Sequence, residues 1–174
     1  KYTMKPFNQY VINFGGLSEG SHDFKFELEK NFFENFQYDE FNSCKINVKV
    51  KLTKKLNLLE LEFFCKGLIN LNCHVSNEPF EHVHNSSLNL VVKFGAVFNN
   101  DNEDLLILPK GSHQFDISQQ LYEMIVLSLP LKIIHPGIID GTLKSDTLTR
   151  LKSFEFNFKK DNMDPRWNKL KELK

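Results

Sequence analysis

Three cysteines and six histidines are the residues of this 174-residue chain with the widest chemical range. Cys73 and His74 are adjacent, and His82 and His84 flank Val83, so in a strand the two histidines would share a face. A thiolate and imidazoles are zinc ligands, but a structural zinc site takes four. The segment offers Cys73, His82 and His84, with only His74 as a fourth on the opposite face, and it lacks CxxC spacing. Polar residues at a loop edge are the plainer reading, and no metal or other cofactor is expected. Cys44, Cys65 and Cys73 belong to no cysteine-protease box and the chain has no GxSxG elbow, so they read as free thiols filling strands. Gly15, Gly16 and Gly20 form neither GxGxxG nor GxxxxGK(S/T), and nucleotide hydrolysis is not expected.

The second chemistry available is attraction of phosphates. Lysine plus arginine and aspartate plus glutamate number 22 each, so any nucleic-acid contact must be local rather than the product of a global field. From Asp140 onward nine basic residues stand against six acidic ones. Lys159, Lys160, Arg166, Trp167, Lys169, Lys171 and Lys174 combine cations with a flat ring that could stack on an unpaired base. The competing reading makes Trp167, Leu170 and Leu173 the apolar stripe of a docking helix and the lysines its solvated back. Lys45, Lys49, Lys51, Lys54 and Lys55 form a second patch. Lysines also guard sheet edges against pairing, which is the simpler account of that patch.

The elements that must position these residues are legible from hydrophobic periodicity. The densest apolar run is Phe115 to Pro136, where Ser118 as N-cap and Asp116 before it favour a helix over about 118–129. Ile117, Leu121, Met124, Ile125 and Ser128 mark one face, while Val126, Leu127 and Leu129 imply that most sides are covered. Pro130 ends the helix, and an extended segment runs to His135, Pro136 and Gly137.

Upstream, Tyr10 to Phe14, the Gly15-Gly16 turn and His22 to Glu29 predict a hairpin. Asn31 to Phe36 reads as a helical turn. Cys44 to Leu52 alternates with Ile46, Val48, Val50 and Leu52 facing inward. Leu56 to Cys65 and Leu68 to Val75, separated by Gly67, are two further strands, followed by Leu88 to Phe94, a polar loop at Asn99 to Asp104, and a short strand at Leu105 to Leu108. Short connections without a crossover helix favour antiparallel pairing. The expected fold is therefore α+β, an antiparallel sheet or partly open barrel carrying a buried helix.

Residues 1–139 form the expected core domain. Residues 140–174 form an appendage in which Phe154, Phe156 and Phe158 alternate, ending in a short amphipathic helix begun by Asp164 and Pro165. No run approaches the roughly 20 apolar residues that span a bilayer, and KYTMKPFNQY lacks the apolar core of a signal peptide. With three unpatterned cysteines, this makes a cytoplasmic address the expectation.

The segments GLINLNCHV, LNLVVKFG, LYEMIVLSLPLKIIHP and DPRWNKLKEL, in that order, resemble the YceD family of bacteria and plastids, the large ribosomal RNA subunit accumulation proteins, and most of all its Bacteroidetes-type members. The resemblance rests on YExIxLSLPLxxxHP and DPRWxxLKxL, and so on Tyr122, Glu123, Pro130, His135, Asp164 and Pro165. It implies a non-enzymatic factor for ribosome biogenesis that binds ribosomal RNA, a large-subunit ribosomal protein, or both. DNA and membranes are not implied as partners, and the oligomeric state stays open. Many relatives carry a C-x-R-C-L motif, of which this chain keeps Cys73 but has Val75 and Ser76 at the Arg and second Cys positions. The rival reading is a small-molecule or metal-binding domain, or an enzyme, using a barrel interior with Cys73, His82 and His84.

Overall fold

The computed structural model describes residues 8–96, 98–102 and 105–158. These residues have a mixed α+β fold with two sheets. The larger is open and six-stranded. It contains β2 (Gly20–Glu29), β3 (Phe41–Lys54), β4 (Leu58–Asn72), β5 (Pro79–Gly95), β6 (Asn99–Asn102) and β7 (Leu105–Pro109). Its spatial order is β2-β3-β4-β5-β7-β6, so β3 and β4 are interior strands. The smaller sheet pairs β1 (Val11–Asn13) with β8 (Gln114–Asp116).

Alternation dictates the two faces. Ile46, Val48, Val50 and Leu52 of β3 are buried, as are Leu59, Leu61, Phe63, Cys65, Ile69 and Leu71 of β4. Leu90 and Val92 of β5 and Leu106 and Leu108 of β7 extend this inner face. The sheet does not close into a barrel among the described residues, and these side chains are packed on its inner face.

Several expectations change. The stretch from Tyr10 to Phe14 does not form a hairpin with β2. Its strand pairs antiparallel with β8, while β2 pairs with β3 in a register running from Gly20↔Lys54 to Glu29↔Lys45. The Gly15 turn serves the smaller sheet: Gly15 N–H donates to His113 O at 2.9 Å, and a Cβ there would lie 2.7 Å from that of His113. Gly67 does not separate two strands either, because β4 is continuous through it. It faces Ile46 across the ladder, where an added Cβ would meet the Ile46 Cα at 2.6 Å, so glycine is required by backbone approach rather than by a turn. Finally, Asp146–Phe158 is a helix, α4, rather than a sparse segment with an alternating aromatic end. Ser145 starts it, its Oγ accepting from Thr147 N–H at 3.3 Å, and Asp146 lies in the positive first turn.

Most of the strand pairs are antiparallel, but β5 and β7 run parallel from Val91↔Leu105 to Gly95↔Pro109. The reversal uses β6 in place of a crossover helix: the chain passes to the sheet edge, and β7 returns between β6 and β5.

The central helix, α2, spans Ser118–Leu127. Its N-cap position is Ile117, and the Asp116 carboxylate performs the capping, accepting from Ser118 N–H at 2.9 Å and from the Ser118 hydroxyl. Leu121, Met124 and Ile125 are buried, whereas Leu127 is 80% exposed, so the helix is covered on one face rather than on most sides. A short helix, α1 (Lys30–Glu34), places Phe32 and Phe33 in the core at the expected helical turn.

By internal contacts the chain divides into one compact unit of residues 1–71 and 79–131 and another of residues 72–78 and 132–174. The sheets and α2 belong to the first. The second contains α3 (Pro136–Ile139) and α4. No helix among the described residues is long and apolar enough to cross a membrane.

Candidate functional site

In the second unit, the segment following β4 folds into a tight loop. Cys73 N–H donates to Glu78 O and Asn77 N–H to Cys73 O, both at 2.9 Å, with Asn77 in the left-handed region that asparagine tolerates. His74 N–H donates to Ile133 O at 2.9 Å, and Ile133 N–H donates back to His74 Nδ1 at 3.3 Å. This doubled link carries residues 133–135 past the loop. The Cys73 sulfur then accepts three backbone N–H groups: His135 at 3.2 Å, Val75 at 3.4 Å and Ser76 at 3.5 Å.

Such a nest of amides favours negative charge. Burial by itself would raise the Cys73 thiol. Hydrogen bonds from the Ser76 side chain, the His135 amide and the Ser76 and Val75 amides outweigh that effect and bring it down to about 7. The residue is only 2% exposed, so the sulfur acts chemically as an internal acceptor fastening two chain segments. Ser76, at the position of the second cysteine in the C-x-R-C pattern, contributes a hydroxyl to this knot, and no dithiol can form there. His135 also caps α3, its Nδ1 accepting from Gly137 N–H at 2.9 Å where Pro136 supplies no N–H.

His84 belongs to the first unit and is buried between two hydroxyls. Its Nε2 lies 3.1 Å from Ser86 Oγ and 3.2 Å from Ser128 Oγ. Ser128 Oγ is also within 2.6 Å of Met124 O and 2.9 Å of Ile125 O, so its single proton is committed to the helix and the His84 Nε2 proton points to the oxygen. Burial, followed by the neighbouring His82, lowers the pKa of His84. Cys65 is raised by burial, partly offset by a hydrogen bond with Ser86, and Cys44 is pushed up to about 11 by burial and then by Glu29. Among the described residues, no three of His, Cys, Asp or Glu gather into a metal-binding group. Cys73 lies in the second unit and His82 and His84 in the first, where His84 serves a hydroxyl network.

Tyr122 stacks on Phe36 with ring centroids 4.3 Å apart and planes 3° from parallel. Glu123 is exposed and accepts from Gln119 Nε2 at 2.8 Å, while Pro130 follows the helix end. Lys159, Lys160, Asp164, Pro165, Arg166, Trp167, Lys169 and Lys171, with the helix expected there, lie outside the described residues.

The Lys45 to Lys55 patch is resolved into distinct roles. Lys45 pairs with Glu27 at 3.2 Å, Lys51 with Glu62 at 3.9 Å, and Lys55 with Glu60. Lys54 donates to the carbonyls of Phe14 at 3.0 Å and Leu17 at 2.8 Å, anchoring the loop after β1. Lys49 has no ion pair among the described residues and stands directly across the ladder from Phe64. Sequence reasoning missed Phe64, Lys66, Leu68 and Val83, which line the same outer depression as Lys45 and Lys49. The available signal was Phe64 itself, a large apolar residue at the outward position beside inward Phe63.

The described residues form an open α+β sheet with a packed inner face, accompanied by a sulfur-centred knot around Cys73. Residues 61–174 match the model of the YceD family, described as large ribosomal RNA subunit accumulation protein YceD, and the chain belongs to that family. Neither the curated proteins nor the solved structures compared with it gave a match.

Proposed function

We propose that this protein is a non-enzymatic, cytoplasmic factor of ribosome biogenesis, supporting accumulation of the large-subunit ribosomal RNA by binding that RNA, a large-subunit ribosomal protein, or both. The family match over residues 61–174 carries the reading. It extends from within β4 through the Cys73 knot, α2 and the His135 cap to the basic end of the chain. Within that span Cys73 and His135 act as fasteners of the scaffold. Lys159, Lys160, Arg166, Trp167, Lys169 and Lys171 are proposed as contacts to RNA or a partner protein, on the appendage of residues 140–174.

Sucrose-gradient sedimentation of lysate from cells carrying tagged protein, at low and moderate salt, tests this with sequencing of bound RNA. Co-migration with large-subunit precursors is expected, weakening as salt rises because phosphate contacts release counterions. Protein confined to the top of the gradient with no enriched RNA would refute the assignment.

A further inference from the structure

We infer that the outer face of β3, β4 and β5, centred on Phe64, is a binding surface for single-stranded RNA. The inference rests on the ribosomal reading above and gives it a second contact surface apart from the chain end. Lys45, Asn47, Lys49, Phe64, Lys66, Leu68 and Val83 line a depression of about 600 Å³ on this face. Phe64 is 50% exposed, Leu68 45% and Val83 60%, so three large apolar side chains gather on the water-facing side of a sheet whose other side is the core. Scattered exposed apolar residues need no explanation, but a cluster rimmed by polar groups marks an interaction site.

The cations identify the occupant. In the ladder Lys25 opposes Lys49 and Lys49 opposes Phe64, making one row across three strands, while Asn47 opposes Lys66 in the next row. Phe64 therefore has Lys49 directly across and Lys66 two positions along its own strand, roughly 6.6 Å away. Glu27, Glu60 and Glu62 on this face are matched by Lys45, Lys55 and Lys51, and Asp23 and Glu29 lie on the edge strand β2, but no acidic residue lines the depression, where Lys49 and Lys66 have no ion pair among the described residues. Edge protection cannot explain Lys49 and Lys66, because β3 and β4 are interior strands. An aromatic ring open on a sheet and flanked by unmatched cations suits a base stacked on the ring with phosphates on either side. An acidic protein would meet the charges but leave the ring without a flat partner. A duplex keeps its bases stacked on one another and offers none to Phe64.

Fluorescence anisotropy with the full chain tests this, using labelled oligouridine and oligoadenosine of about 12 nucleotides and an RNA duplex of equal length. Preference for the single strands is expected. Phe64→Ala should weaken binding to both about tenfold or more, while Phe64→Tyr, which keeps the ring, should bind like the parent. The double variant Lys49→Ala, Lys66→Ala should reduce the salt slope by about 1.4. Thermal melting of each variant, expected to match the parent, separates these effects from unfolding.

Parent-like binding by both Phe64→Ala and the double variant would overturn the surface, as would absence of RNA binding or a crosslinker at position 64 capturing only a ribosomal protein. The gradient keeps the two proposals apart. Phe64→Ala and the double variant that both co-sediment and bind RNA as the parent does remove this surface and leave the ribosomal role, whereas a parent chain that never co-sediments removes the role itself.

Discussion

Single residues in this protein couple stability to pH in two separate windows. The Cys73 thiol, lowered from 9.0 to about 7 in the folded chain, binds fewer protons there than in the unfolded chain. Its contribution is full above pH 9.0 and is lost as pH falls through about 7. His84 is also lowered, from 6.5, by burial and His82. Its stabilising influence is complete above pH 6.5 and declines as pH falls below that value toward the folded pKa. Denaturant unfolding between pH 5 and 9.5, roughly, should therefore show stability rising with pH in both windows. Cys73→Ala should flatten the upper rise and cost about 1–3 kcal/mol at neutral pH by stranding buried amide donors. His84→Gln keeps a donor near Ser128 and should flatten only the lower rise. An upper rise that persists in Cys73→Ala would assign it to another group.

Elements are held by backbone requirements that side-chain pattern does not reveal. Gly67 lies within a continuous strand against Ile46. Gly67→Ala forces β3 and β4 apart and should cost about 1–3 kcal/mol, as overpacking does. An unchanged denaturation midpoint would show that the ladder yields freely. Asp116 holds the first N–H of α2, and Asp116→Ala should lower stability by about 1 kcal/mol, with Asp116→Asn losing less because a capping oxygen remains. Equal losses in the two variants would mean that the charge, rather than the cap, matters. The helix was legible in its apolar run. The capping residue was not, because Ser118 and Asp116 are both good acceptors and only the backbone path decides which reaches the free amide.

For the whole molecule, the ribosomal reading divides the labour between a folded sheet and the basic end of the chain. Removing residues 161–174 should leave the far-ultraviolet circular dichroism of the sheet intact and abolish co-sedimentation with large-subunit precursors. Retained co-sedimentation would shift the contact to another surface, such as the face around Phe64.

The sequence by itself determined which face of β3 is apolar, where α2 starts, and the family, because periodicity and motif spacing are local and survive without coordinates. It also supplied the lysines of β3. Only the tertiary structure decided that β1 pairs with β8 rather than β2, that β5 and β7 run parallel, and that Phe64 stands between Lys49 and Lys66. The physical reason is that alternation gives a side chain's face but not its neighbour on the adjacent strand. That neighbour depends on register and on closure of long loops, which many distant residues set together. The Cys73 knot shows the same limit: its sulfur draws amides from positions 75, 76 and 135, and the last is brought there by the reciprocal His74 and Ile133 hydrogen bonds rather than by anything near it in sequence.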